Sequence, residues 1–407
     1  SPDSYLGQQD QLARTTINQS ALASTKLLVT KKQMANPTLR PRGDLASEIT
    51  PIVMGGAAWS HQLNHDAETR PVIPVILNAF DHGIRTIDTS PYYEPSEKIL
   101  GKALADPQIS ALYKREDYFL MTKVGRIASE EFDYSPSWIR ESVQRSLRRF
   151  QTGYLDVVFC HDVEFISDAG VVEAVRTLWE FVEQGKIRYV GISGYPIDKL
   201  VRVARLCKEK LERPLDIVQN WGQLTLQNTK LRTEGLRQLG EAGVQMVCSS
   251  SPLNIGLLRA QGVPIGQVFS RLGDWHPAPS DLRLAVSKAA DLVSEKGDDL
   301  ASLALRFAVR ETARREKGLP AMALIMGPGS VAEVESCAAA AKSVRDQNTQ
   351  GKFGDLRDDT VLDKEGVQSD EPLVQGVREI LGRWIDFSFE SPPKGWDVEA
   401  GKMGKVE

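Results

Sequence analysis

The feature that most restricts the fold of this chain is a repeated alternation of short apolar runs with amphipathic segments, beginning at Thr50. The apolar runs are nearly continuous, which is typical of parallel strands buried on both faces. Most are followed by a segment with the apolar spacing of a helix. Strands and helices that alternate in this way predict an α/β fold, a (β/α)8 TIM barrel. The eight strand candidates are Pro51–Met54, Ile84–Ile87, Tyr118–Val124, Leu155–Cys160, Ile187–Ile192, Leu215–Val218, Val244–Cys248 and Met322–Met326.

The segments on either side of this pattern differ from it in composition. Residues 1–48 are polar with little periodicity, and they predict a loosely ordered N-terminal extension. Residues 49–343 then form the barrel, and residues 344–407 form a C-terminal arm and tail. Within the arm, Pro372–Trp384 could be a closing helix, and we expect the residues after it to be mobile.

The composition excludes several classes of partner. With 41% hydrophobic and 26% charged residues the chain is an ordinary globular protein, and its net charge of −4 gives no reason to expect nucleic acid or an anionic membrane. Four cysteines lie far apart without a CxxC pair, which favours a reducing, cytoplasmic location. Because the sequence begins at Ser1 rather than Met, it leaves open a targeting segment that has been removed.

The richest local pattern is the stretch from Gly83 to Gly101. A β-prone run ends at Asp88, a turn-forming segment carries Tyr92 and Tyr93, and an apolar-periodic run then predicts a helix. In barrels of this type the active site lies at the carboxyl ends of the strands. Taken alone, Asp88 could simply cap a loop, and the two tyrosines could simply pack.

Polar side chains also follow the other strand candidates, and together they suit hydride transfer between a carbinol carbon and a nicotinamide. A lysine cation can lower the pKa of a phenol, a carboxylate can hold the lysine, and a histidine can orient the substrate oxygen. An amide and a hydroxyl suit the nicotinamide carboxamide, and a glycine-rich turn that opens a helix suits a phosphate. These groups are Asp88, Tyr93, Lys123, His161, Ser193, Gln219, Ser250, Ser251, Gly327, Gly329 and Ser330.

On these residues the chain resembles the aldo-keto reductases. The signature Gly-x-Arg-x-x-Asp-Thr-Ser starts at Gly83, and Tyr93 and the pattern Glu97-x-x-x-Gly101 follow it. The resemblance covers roughly residues 50 to 342. It implies a catalytic tetrad of Asp88, Tyr93, Lys123 and His161, with Tyr93 as the general acid/base. Tyr92 is the alternative donor, but the spacing of five residues after Asp88 favours Tyr93.

The resemblance also bears on the cofactor. It implies contacts with Ser193, Gln219, the run Ser250-Ser251-Pro252-Leu253, and the turn containing Gly327, Gly329 and Ser330. The family often has Ser-Asn after the fifth strand, where this chain has Ser193-Gly194, and an aromatic residue where this chain has Ser250. Glu333 stands where members that use NADPH carry a basic residue. Because a carboxylate repels a 2′-phosphate and can bind a free ribose hydroxyl, we expect NAD rather than NADP.

Within the family, three segments are similar to the D-arabinose and L-galactose dehydrogenase branch: residues 88–93, 191–196 and 274–278. That branch implies oxidation of C1 of an aldose, of the D-arabinose, L-galactose or L-fucose type, to the lactone. Aromatic faces at the barrel mouth suit a sugar ring, although each could equally be core packing. The candidates for substrate contact are Trp59, Trp221, Trp275 and His276.

Three other functions compete with this one. A general NAD(P)H-dependent aldehyde or ketone reductase would use the same tetrad, and a nicotinamide-binding barrel without catalysis would retain it. A metal-dependent barrel hydrolase or isomerase could bind a divalent ion through His161-Asp162-x-Glu164. Only five histidines exist, and the others do not form ligand-like pairs at strand ends, so we expect no metal.

Overall fold

The fold is built around a closed barrel of parallel strands. The computed structural model describes residues 42–260, 276–343 and 364–404. Its eight barrel strands follow one another in chain order, and the first pairs with the last. The predicted TIM barrel is therefore confirmed. The strands are β1 (Ile52–Gly55), β2 (Thr86–Asp88), β3 (Phe119–Val124), β4 (Leu155–Cys160), β5 (Ile187–Gly194), β6 (Ile217–Trp221), β7 (Met246–Ser250) and β8 (Ala321–Met326).

Helices surround the barrel and connect its strands. Most strands are followed by a helix, as the alternating pattern predicts. The helix predicted after β6 begins with a π-helical turn, Leu231–Gly235. The helices are α1 (Val72–Asp81), α2 (Ser96–Ala105), α3 (Pro136–Phe150), α4 (Asp168–Glu183), α5 (Ile197–Lys210), α6 (Leu236–Glu241), α7 (Ser280–Glu295), α8 (Leu300–Ala313), α9 (Val331–Ser343) and α10 (Lys364–Leu381). Within these described ranges, no helix has the length and apolar character needed to cross a membrane.

Local sequence explains why α3 forms where it does. The Ser135 side chain accepts a hydrogen bond from the Trp138 amide, and Pro136 occupies the first turn, where its missing N–H costs nothing. The buried residues of α3 recur at helical spacing and face the barrel. The helix ends at Gln151, which adopts the left-handed conformation at φ 53°.

Two residues of the signature hold α2 in place and have no chemical role. The buried carboxylate of Glu97 accepts hydrogen bonds from Thr122 on β3 and from Ser146 and Arg149 on α3. Gly101 lies so close to α3 that an added Cβ would be 2.0 Å from the carbonyl oxygen of Arg149. The loop between β2 and α2, which carries the tyrosines, is therefore anchored at its helical end.

The amino end of the barrel is closed by a segment assigned above to the loose N-terminal extension. Leu45 and Ile49 are fully buried and belong to the apolar cluster inside the barrel. The Glu48 carboxylate pairs with Arg188, which also pairs with Asp156 across the buried floor. Residues 42–48 are thus part of the barrel structure, whereas residues 1–41 lie outside the described residues.

The C-terminal residues differ from the prediction of a mobile tail. Helix α10 starts earlier than predicted, at Lys364, and packs against α7. Residues 385–398, which we call the C-terminal strap, then run across the carboxyl end of the barrel. Phe389 bonds to the Tyr195 hydroxyl, and the Trp396 indole donates to the Phe165 carbonyl. Burial of these aromatic rings offsets the conformational entropy that the strap loses when it becomes ordered. The Gly and Pro residues of this segment gave no indication of that burial.

Candidate active site

The predicted tetrad comes together at the carboxyl ends of β2, β3 and β4. Asp88 is the last residue of β2, Lys123 lies on β3, and His161 directly follows β4. The Lys123 ammonium lies 2.9 and 2.7 Å from the two oxygens of Asp88. It also lies 5.4 Å from the centre of the Tyr93 ring. Asp88, Lys123 and His161 are buried, and Tyr93 is half-buried in the loop after β2.

Lys123 was expected to lower the pKa of the Tyr93 phenol, and the structure shows a different arrangement. An ammonium has three donors, and all three are used here: two by Asp88 and the third by the carbonyl of Thr89, at 2.9 Å. Desolvation of the phenol and the charges of Asp88 and Asp162 raise the pKa of Tyr93 well above its usual range. The predicted lowering by Lys123 is therefore not found, because the lysine charge is already balanced by Asp88.

The structure separates the two adjacent tyrosines by their surroundings. Both rings lie with their centres 5.8 Å from the His161 ring. Tyr93, however, lies beside Lys123, whereas the guanidinium of Arg126 stacks on Tyr92 at 4.1 Å. The geometry therefore favours Tyr93 as the partner of the lysine.

Two neighbours bear on the tautomer of His161. The Ser90 hydroxyl oxygen accepts a hydrogen bond from the Tyr92 amide and lies 3.0 Å from His161 Nδ1. Burial lowers the pKa of His161 to about 3, so the ring is neutral at neutral pH. Because the Asp162 carboxylate lies 3.5 Å from Nε2 and can only accept, it favours the tautomer with the proton on Nε2 and with Nδ1 accepting from Ser90. The ring presents a hydrogen-bond donor from Nε2.

A cavity of about 320 Å³ lies over this constellation. It is mainly polar near the tetrad and carries an aromatic wall at Trp221. The residues lining it that were predicted as functional are Tyr93, Lys123, His161, Ser193, Gln219, Trp221, Ser250 and Ser251. Asp88 lies beneath the cavity, where Lys123 and Gln219 bond to it. Burial raises the pKa of Asp88, and those two neighbours only partly offset the effect.

Four other polar residues of the cavity were not predicted to contact cofactor or substrate. Arg126 follows β3, Asp162 and Glu164 follow β4, and Ser391 comes from the C-terminal strap. Asp162 and Glu164 were considered in the sequence only as possible metal ligands, together with His161. Nothing in the sequence indicated Arg126 or Ser391. The described residues contain no group of three or more His, Cys, Asp or Glu side chains placed to hold a metal ion.

Glu164 explains one departure from the family pattern. A Cβ at position 194 would lie 2.4 Å from Glu164 Oε2, so the carboxyl takes the space of an asparagine side chain there. Glu164 Oε1 accepts hydrogen bonds from the Tyr195 amide and the Ser391 hydroxyl. Burial, reinforced by the charge of Asp162, raises the pKa of Glu164 to about 8.

A second cavity, of about 450 Å³, adjoins the first and is lined by half of the predicted cofactor contacts. Ser251 and Ile255 line both, which makes one continuous groove from the tetrad to helix α9. Ser251, Pro252, Leu253, Gly327 and Glu333 all line the outer part. Gly329 and Ser330 lie at the start of α9, where the Gly329 amide donates to Glu333 Oε2 at 2.5 Å.

These residues fit a dinucleotide. Gln219 Oε1 is buried with no hydrogen-bond partner in the described parts of the chain, so it is available to the NH2 of a nicotinamide carboxamide. The Ser193 hydroxyl lines the same cavity. The outer cavity has apolar side chains, including Leu253 and Leu305, for a flat base. Ser193 and Gln219 would hold the nicotinamide end, and the loops after β7 and β8 would hold the adenosine end.

Two of the aromatic residues predicted to contact substrate lie elsewhere. Trp59 is fully buried in the main core, because the residues after β1 turn into a short 3-10 helix that directs its ring inward. His276 is buried against Phe389, with ring centres 5.7 Å apart, and does not line the cavity. Trp275 lies outside the described residues. Of the three that the structure describes, Trp221 lines the cavity and Trp59 and His276 do not.

A barrel with this constellation defines an oxidoreductase, and comparison of the sequence identifies its family. A sequence model described as "Aldo/keto reductase family" matches residues 51–350. The chain belongs to the aldo/keto reductase family, whose members use nicotinamide cofactors. The predicted family is thereby confirmed.

Particular relatives are sugar dehydrogenases. The chain is 42% identical to D-arabinose 1-dehydrogenase of Saccharomyces cerevisiae over 280 residues, which is 68% of this chain and 80% of that protein. It is 32% identical to L-galactose dehydrogenase of Arabidopsis thaliana over 314 residues, 75% of this chain and 89% of that protein. The fold is similar to that of glycerol dehydrogenase from Gluconobacter oxydans, with a TM-score of 0.57, 19% identity and coverage of 88% and 99% of the two chains.

The raised pKa of Glu164 predicts a pH-dependent effect on stability. Between its unfolded pKa, near 4.5, and its folded pKa, about 8, the unfolded chain loses a proton that the folded chain retains, so wild-type stability falls as pH rises. Glu164→Gln removes this loss. We expect its melting temperature relative to wild type to rise by a few degrees between pH 5 and pH 8.5, measured by thermal unfolding. Glu183→Gln, at an exposed position, is the control. A difference that does not change with pH would contradict the assignment.

Proposed function

We propose that this protein is an NAD-dependent aldose 1-dehydrogenase that oxidises C1 of a cyclic aldose to the lactone. The observation that carries the proposal is the buried Asp88–Lys123 pair beside Tyr93 and His161, beneath a polar cavity. The printed activities of the yeast and plant relatives support sugars of the D-arabinose and L-galactose type. L-Fucose shares their ring stereochemistry and belongs to the same set.

In this reaction the residues of the chain accept one proton from the substrate and hold one substrate oxygen in position. Tyr93 takes the proton from the C1 hydroxyl, acting as a general base. His161 donates a hydrogen bond from Nε2 to the same oxygen and so orients it. Asp88 keeps Lys123 in place, so that its positive charge lies near the phenol. A bound oxidised nicotinamide supplies the hydride acceptor and a positive charge that favours the phenolate.

The size and lining of the inner cavity suit a single sugar ring. About 320 Å³ is at the lower end of the range for ligand sites and leaves little room for a long aliphatic or polycyclic substrate. Trp221 offers a flat face for the C–H side of a pyranose. Arg126 and Ser391 add polar groups for ring hydroxyls. A cyclic hemiacetal already presents its C1 hydroxyl, so the ring need not open.

The choice of NAD rests on the position of Glu333. Its carboxylate lines the outer cavity and accepts the Gly329 amide at the start of α9, where a helix would otherwise attract an anion. A 2′-phosphate near this carboxylate would be repelled, whereas a ribose hydroxyl could donate to it. Ser336 and Cys337, which line the same cavity, add no positive charge.

One observation favours a second candidate, reduction of a carbonyl compound with NADH. The raised pKa of Tyr93 favours the protonated phenol, which is the form that donates a proton to a carbonyl oxygen. In that direction the enzyme would act as an aldehyde or ketone reductase with the same tetrad. The direction of the reaction at neutral pH separates the two candidates.

A substrate panel tests the proposed function. We expect kcat/KM with NAD to be high for D-arabinose, L-galactose and L-fucose and about a hundredfold lower or more for D-glucose, because epimers leave buried polar groups unpaired. Initial rates of NADH formation at pH 7 to 9 provide the measurement. Comparable rates on D-glucose and D-arabinose, or activity confined to the reduction of aliphatic or aromatic aldehydes, would contradict the proposal.

Tyr93→Phe tests the general base. Loss of proton transfer should lower kcat by about a hundredfold to ten-thousandfold, while the affinity for NAD, measured by fluorescence titration, stays close to wild type. Because desolvation and nearby carboxylates raise the pKa of Tyr93, wild-type activity should keep rising into the alkaline range. Tyr92→Phe is the matched control and should remain active. An inactive Tyr92→Phe beside an active Tyr93→Phe would reverse the assignment.

Glu333→Arg tests the cofactor preference. Replacing the repulsive charge with a charge-assisted contact should raise the NADP-to-NAD ratio of kcat/KM by about one to two decades. Glu335→Arg is the matched control, since it introduces the same charge at an exposed position on α9 that does not line the cavity. Equal use of NAD and NADP by the wild type is the outcome that this proposal does not allow.

A further inference from the structure

One buried carboxylate in the inner cavity has no part in the chemistry described so far. Asp162 directly follows His161, lines the cavity and is buried. Its backbone adopts the left-handed conformation, with φ 55° and ψ 61°. Such a conformation is unfavourable for residues other than glycine, and it clusters at functional sites. It directs a charged side chain into the space above the tetrad.

The contacts of Asp162 leave one of its oxygens available. Oδ2 pairs with Arg126 Nη1 and lies 3.5 Å from His161 Nε2. In the described parts of the chain, Oδ1 has no hydrogen-bond partner. Asp162 therefore presents an acceptor directly beside the one ring nitrogen of His161 that carries a proton.

Two positive charges keep Asp162 in place and ionised. The guanidinium of Arg126 also donates to the carbonyls of Ala128 and Ser129 and stacks on Tyr92, so it cannot easily turn away. Lys123 adds a second positive charge from β3, and Glu164 faces Asp162 from the loop after it. Burial opposes ionisation of Asp162, but the charge and hydrogen bond of Arg126, with the charge of Lys123, hold its pKa below the usual range.

We propose that Asp162 binds the hydroxyl on the carbon next to the one oxidised, so that the substrate must be a sugar with a free C2 hydroxyl. This inference rests on the proposed function. The reacting oxygen bonds to His161 Nε2, and the Asp162 carboxylate approaches that nitrogen to 3.5 Å through Oδ2, so a hydroxyl on the neighbouring carbon comes close to the same carboxylate. A donor and an acceptor side by side therefore match the two oxygens of a hemiacetal with a C2 hydroxyl.

A purely positioning role for Asp162 accounts for less of the geometry. Ser90 already orients His161 from the opposite ring nitrogen, at 3.0 Å. Arg126 already balances the charge of Asp162. Neither contact requires the carboxylate to line the cavity or to leave Oδ1 without a partner. A sugar hydroxyl supplies the donor that the arrangement otherwise leaves out.

A cycle of two proteins and two sugars tests this role. The sugars are D-arabinose and 2-deoxy-D-ribose, which is D-arabinose without its C2 hydroxyl. The variant is Asp162→Asn, because asparagine tolerates the left-handed backbone and retains the size of the side chain. We expect it to lower kcat/KM about tenfold to a hundredfold on D-arabinose, through loss of a charge-assisted bond, and no more than about threefold on the deoxy sugar.

The control and the other outcomes make the test decisive. Asp281→Asn, which removes an exposed carboxylate paired with Arg383, should leave all values unchanged. If Asp162→Asn lowers kcat/KM equally on both sugars, or on neither, the inference is overturned while the proposed function stands. A wild-type protein inactive on every aldose overturns both. If Asp162→Asn does not fold, as judged by thermal unfolding, the double variant Asp162→Asn with Arg126→Gln removes both charges and must show the same dependence on the C2 hydroxyl.

Discussion

The ion pair between Lys123 and Asp88 is the contact on which the rest of the site depends. It joins β2 to β3 at a buried position, and breaking such a pair by removing one partner typically costs about 3–5 kcal/mol. All three lysine donors are used, so the ammonium has a single position relative to the strands. The phenol of Tyr93 and the ring of His161 are arranged around that point, and barrel curvature brings them together without any flexible element.

Apolar periodicity was sufficient to predict the barrel and its eight strands, and the resemblance to the aldo-keto reductases then indicated the tetrad. Buried parallel strands must be apolar along their length, and their carboxyl ends must meet, so residues directly after a strand have predictable positions. Lys123 and His161 could therefore be assigned before any coordinates were known. Ser193 and Gln219 are at strand ends too, and both line the cavity.

Residues in longer loops could not be predicted in the same way, because no period sets the direction of their side chains. Trp59 follows a strand, yet a 3-10 turn buries its ring in the core. Asp162 faces the cavity only because its backbone is left-handed, and no sequence pattern announces that conformation. Ser391 reaches the site from a segment far along the chain, through pairwise contacts between aromatic rings and barrel loops.

The strap has a consequence for the order in which the protein is made. The last barrel strand ends at Met326, but a wall of the inner cavity depends on Ser391 and its bond to Glu164. Chains fold progressively during synthesis, amino-terminal parts first. On the ribosome, all eight barrel strands and the four tetrad residues are therefore synthesised before the segment that completes the wall of the inner cavity.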